Sequence, residues 1–140
     1  VAELVDDVIR RLSTQGVGTT SSTATWRIVA RDFLPGTIGS SSQAKMIAVT
    51  VTGGFPQMSA EDLTYPTFQV RVRDSATSST GLEAKMTAAV AALNLTGGLT
   101  INSRKYLDFR LEGEPFFLGR DENQRPLMAA NFVAWRSRTT

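Results

Sequence analysis

The chain has 140 residues, 41% hydrophobic and 20% charged, which suits one folded domain over 1–140 rather than a disordered segment. It has no cysteine and no histidine, so disulfides, thiolate metal sites and the usual neutral-pH general base are excluded. Lys plus Arg is 15 against 13 for Asp plus Glu, a net charge of +2, and the pI of about 9.4 reflects missing near-neutral titration rather than a nucleic-acid surface.

In chain order, the first expected element is a helix over 3–14. Leu4, Val5, Val8, Ile9 and Leu12 share one stripe. Asp6 and Asp7 near its start, with Arg10 and Arg11 near its end, suit the helix dipole and predict the pairs Asp6–Arg10 and Asp7–Arg11. Gly16 or Gly18 ends it. Trp26–Phe33 and Met46–Thr52 alternate as strands, separated by a polar, Gly-containing connection. Gly53–Thr64 reads as a long loop carrying Phe55, Met58 and Leu63.

Tyr65–Arg73 is the pivotal strand. Phe68, Val70 and Val72 alternate with Gln69, Arg71 and Arg73, which predicts one apolar and one cationic face, the latter left for solvent or a partner. Thr80–Asn94 follows as a second helix. Thr80 and Glu83 have capping-box spacing, Leu82, Met86, Ala89, Val90 and Leu93 form its stripe, and Gly97–Gly98 ends the segment. Strands follow at Tyr106–Leu111 and Leu127–Arg136, with a short apolar piece at Pro115–Leu118, a charged turn at Gly119–Arg125 and a frayed end at 137–140. If the strands flanking the second helix are parallel, their crossover is right-handed. The expected fold is α+β (α/β): a mixed or antiparallel sheet of about five strands with two helices on one face.

Nothing here assembles a catalytic site. There is no nucleophile–base pair, P-loop or GxGxxG, and the acid pairs Asp6–Asp7, Glu61–Asp62 and Asp121–Glu122 read as solvated surface. No cofactor or metal is expected. No apolar run approaches the ~20 residues of a membrane span, and acids stand where a basic leader would begin. A soluble, cytoplasmically made protein that has lost its initiator Met is the expectation. The arginines carry more information. Arg71 and Arg73 share a strand face, while Arg120 and Arg125 flank Asp121–Glu122. These residues pair internally or form a subunit interface, and a turn bearing both signs suits a head-to-tail ring.

The segment Glu114-Pro115-Phe116-Phe117-Leu118-Gly119-Arg120-Asp121-Glu122-Asn123-Gln124-Arg125-Pro126, with Asn131-Phe132 beyond it, resembles the tail-terminator and minor-capsid (tail completion) proteins of long-tailed bacteriophages. Tyr65-Pro66-Thr67-Phe68-Gln69-Val70-Arg71-Val72-Arg73 resembles the same group's Pro-x-x-Gln-(apolar)-Arg-(apolar)-Arg strand. The resemblance implies a structural virion protein, not an enzyme. It implies a homo-hexameric ring that caps the finished tail tube, stops its polymerisation and faces the head–tail connector, with the tube and neck proteins as partners and DNA only as lumen contents. Assembly takes place in the host cytoplasm. On this reading Arg71 and Arg73 reach a ring contact or the lumen, Arg120, Asp121, Glu122 and Arg125 form a neighbour-facing turn, and Phe55 and Met58 touch tube or connector. Reversing Arg120 and Arg125 to Glu is then expected to spare the fold and abolish tail completion. The alternatives are another head–tail joining protein and a nucleic-acid-binding module using the Arg71/Arg73 face.

Overall fold

The computed structural model describes residues 2–21, 23–31, 33, 45–55, 63–75, 80–94 and 96–137. Helix α1 (Ala2–Thr14) buries Leu4, Val5, Val8 and Leu12, the stripe read from the sequence. It stops where Gly16 takes φ 76°. There the Val17 N–H donates to the Leu12 carbonyl at 3.0 Å and the Gly16 N–H to that of Ser13 at 3.1 Å, which satisfies two carbonyls of the last turn.

Strands β1 (Arg27–Ala30), β2 (Met46–Phe55) and β3 (Leu63–Arg73) precede helix α2 (Thr80–Leu93), and β4 (Thr96–Ile101), β5 (Arg104–Arg120) and β6 (Pro126–Ser137) follow it. The six strands form one sheet in the order β1-β2-β3-β6-β5-β4. Only β1 and β2 run parallel; every other neighbouring pair is antiparallel. The α+β architecture is therefore as expected, with six strands in place of about five. The additional one is β4, which contains the Gly97–Gly98 pair expected to end the second helical segment. β3 and β4 flank α2 without being neighbours, so the conditional parallel crossover does not arise.

β3 lies inside the sheet, between β2 and β6. Its Phe68, Val70 and Val72 pair with Phe132, Ala130 and Met128 on one side and with Val51, Val49 and Ile47 on the other. This face meets Leu4, Val8 and Leu12 of α1 and Leu82, Met86, Ala89 and Leu93 of α2 in one apolar core. Aromatic rings occupy its centre. Phe68 stacks on Phe132 with centroids 5.2 Å apart and meets Phe109 edge-on at 5.6 Å. The helices are tied to each other by the Arg11 Nε, which donates to the Ala92 carbonyl in the last turn of α2 at 2.9 Å. This cation serves the dipole of the neighbouring helix.

The expected loop Gly53–Thr64 is shorter than read. β2 runs on to Phe55 and β3 starts at Leu63, so Phe55 is a strand residue opposite Tyr65. A bulge between Val51 and Gly53, with Gly53 at φ 109°, interrupts the alternation that would have extended the strand in the sequence. Met58, Glu61 and Asp62 lie outside the described residues.

Candidate functional site

The face of β3 expected to be cationic and open is cationic but largely covered. Arg73 is 3% exposed. Its guanidinium lies 4.9 Å from the Phe33 ring and donates to the Met46 sulfur at 3.3 Å. Arg71 is half-buried, donates to the Arg31 carbonyl at 2.7 Å and lies 5.1 Å from the same ring. Their neighbours on this face, Met46, Ala48 and Ala129, are fully buried, which is why two arginines here pack over an aromatic ring. Next to them Gln69 donates to Asn131 at 3.0 Å. Arg73's burial weighs against a nucleic-acid platform built on Arg71 and Arg73.

The turn at Gly119–Arg125 joins β5 to β6, and its charges are used mostly within it. The Asp121 carboxylate accepts the backbone N–H groups of Asn123 and Arg125, both at 2.9 Å, and the Arg125 Nε at 2.7 Å. Partial burial pushes the Asp121 pKa up, but these bonds and the Arg125 charge outweigh it and leave the carboxyl below its ordinary value. Arg120 donates to the Gln124 carbonyl at 2.8 Å. Arg120 and Glu122 are exposed, whereas Asp121 and Arg125 are half-buried. The four residues read as one charged surface therefore divide. Asp121 and Arg125 hold the turn, and Arg120 and Glu122 face outward. Reversing Arg125 would set a like charge against Asp121, so the double reversal tests the turn's own folding as well as any contact.

Arg73 and this turn share one end of the sheet, since Arg73 and Gly119 both pair with Leu127. Phe55 stands at the other end with Tyr65, whose ring meets Trp135 edge-on at 5.7 Å. Along β3 these two groups are roughly 26 Å apart at about 3.3 Å per residue.

The most prominent surface feature is the outer half of β5. β4 covers β5 only from Arg104 to Asp108. Beyond Asp108, β6 is the one strand paired with it among the described residues, so β5 becomes an edge. On that edge Phe116 is 40%, Phe117 58% and Leu118 47% exposed. Phe116 lies opposite Ala129 and Phe117 opposite Met128, so apolar rings stand on both faces of the strand. Glu112 and Glu114 precede them, also exposed. Bulges between Glu112 and Phe116 and between Phe117 and Gly119, with Gly113 at φ 76° and Gly119 at φ 104°, break the pairing around this patch. The sequence marked Pro115–Leu118 only as a short apolar piece. Its signal was three consecutive large apolar residues against a charged turn, where an exposed strand would alternate.

A second feature lies at the opposite end of β5. Arg10, Arg11 and Thr14 of α1 and Leu99, Ile101 and Asn102 around the end of β4 line an open cavity of about 350 Å³. Beneath it sits Asp7, which is fully buried and does not pair with Arg11 as expected. Its carboxylate takes the Arg104 Nε at 2.7 Å, the Arg104 Nη2 at 2.8 Å, the Asn102 amide at 2.9 Å and the Tyr106 hydroxyl. Asp7 follows Leu4 by three residues and so lies within the apolar stripe of α1. That placement was the available signal that it turns inward.

Among the described residues no group of three or more acidic side chains is placed to hold a metal, and no helix is long and apolar enough to cross a membrane. Residues 11–136 match a family described as bacteriophage tail terminator protein. No curated protein matches the chain.

Proposed function

The chain belongs to the bacteriophage tail terminator family, and from this premise we propose that it closes the finished tail tube as a ring of identical subunits, stops tube growth and offers a surface for head–tail joining. The family is one of structural phage tail proteins, so its partners are other proteins of the phage tail or neck and its place is the virion. The observation that supports the reading is the open β5 edge. Three large apolar side chains stand at 40–58% exposure on a strand that, among the described residues, has no partner strand on one side, which is costly in a monomer and useful in an assembly. In this proposal the exposed Arg120 and Glu122 join that edge in the subunit contact. Asp121 and Arg125 present them, and Phe55, at the far end of the sheet, and Met58 meet the tube or the connector. Arg73, being buried, is left out.

The test is electron microscopy of tails made by a phage carrying a null allele of this gene. Overlong, headless tails are expected. Tails of normal length that fail to join heads would move the protein to the joining apparatus, and fully infectious particles would sink the tail role.

A further inference from the structure

Building on the ring reading above, we infer that the subunit joint consists of the β5 edge of one copy seated in the α1–β4 cavity of the next. Three properties of the two surfaces match. The edge carries Glu112 and Glu114, while the cavity lining carries Arg10 and Arg11 and no acid. The edge presents Phe116, Phe117 and Leu118, and the cavity offers Leu99 and Ile101. The cavity volume of about 350 Å³ is ample for an aromatic ring, given that a dry cavity of about 150 Å³ already accepts benzene. β4 is itself the last strand of the sheet, so its outer backbone edge borders the same cavity and can take an added strand.

The two surfaces cannot satisfy each other within one molecule. The cavity adjoins Asn102, just before β5 begins, and Phe117 lies near its end, so about 40 Å of extended strand separates them at roughly 3.3 Å per residue. Each copy therefore offers one half of the joint and needs the other half from a neighbour. A contact between two different patches, repeated around an axis, gives a ring where the rotation per copy closes on itself.

The absence of cysteine makes the joint directly addressable. A phage lacking the gene is complemented with the full chain carrying Arg10→Cys and Glu114→Cys together, both exposed positions. Purified tails are then treated with a bifunctional maleimide. A ladder of covalent multimers beyond the dimer is expected, with neither single variant giving one. Tails that contain the protein but yield no ladder would overturn the joint while leaving the tail role standing. A product that stops at the dimer would overturn the head-to-tail arrangement. Tails that lack the wild-type protein altogether would overturn the ring reading itself. A second pair of variants covers loss of incorporation by the cysteine pair. Arg10→Glu is expected to lower incorporation into tails at least tenfold, and adding Glu114→Lys to restore it. A double reversal no better than either single change would also overturn the joint.

Discussion

Asp7 shows how much a single side chain can hold. Its carboxylate is fully buried and takes donors from Asn102, Arg104 and Tyr106, so one residue of α1 fixes the turn between β4 and β5. Removing the buried carboxylate leaves Tyr106 and a largely covered Arg104 without their acceptor, at a cost of about 3 kcal/mol, the lower end for a buried pair. Asp7→Ala is therefore expected to lower unfolding free energy by about 3 kcal/mol in urea titrations; a loss below about 1 kcal/mol would mean that water replaces the carboxylate. Tyr106 adds a pH dependence. Burial is the largest cause of its raised pKa, followed by the hydrogen bond to Asp7 and that residue's charge. The folded value exceeds the ordinary 10.0, so the unfolded chain gives up its proton first. The contribution is complete below pH 10.0 and declines as pH rises above it. Relative to the parent, Tyr106→Phe is expected to flatten the alkaline fall of the denaturation midpoint. An unchanged slope would remove Tyr106 as its source.

At the scale of elements, what was legible and what was not follow one physical line. Both helices and the pivotal strand were readable because their core-facing side chains are apolar at a regular spacing, and β6 because it is a long apolar run after a charged turn. β4 was not readable. Its pair of glycines and a bulge between Thr96 and Leu99 erase the alternation, although the two-residue turn Asn102–Ser103, at φ 49° and 66°, is a hairpin signal. The Arg71/Arg73 face was misread because β3 is covered on both faces at that end, and alternation of charge does not reveal a ring such as Phe33 lying over it. The outer β5 edge is the reverse case, in which apolar residues are open and burial leaves no pattern. Phe117→Ser on that edge is expected to change folding stability by no more than about 0.5 kcal/mol, as for a surface site. It is nevertheless expected to reduce tail completion. Wild-type yield of capped tails from this variant would separate the edge from function.

The strand order has a consequence for the whole molecule that concerns time. β2 and β3, β4 and β5, and β5 and β6 each pair with their neighbour in sequence, so those ladders close over short stretches of chain. The seam between β3 and β6, where Phe68 meets Phe132, joins residues on either side of α2, β4 and β5. Local ladders form early, and a pairing of high sequence separation waits on the entropy of closing the chain between its strands. The hypothesis is that two preformed halves, one carrying α1 and the other α2, zip along this seam in the rate-limiting step. A conservative trim such as Val70→Ala would then slow refolding by about the whole of its stability loss, whereas one appearing wholly in the unfolding rate would place the seam after the barrier. Until that seam closes, neither half has a covered sheet, and the aromatic edge of β5 is exposed on a chain not yet able to assemble in register. Completion of the fold's own centre thus sets the moment at which an edge that is adhesive from the start can dock in register.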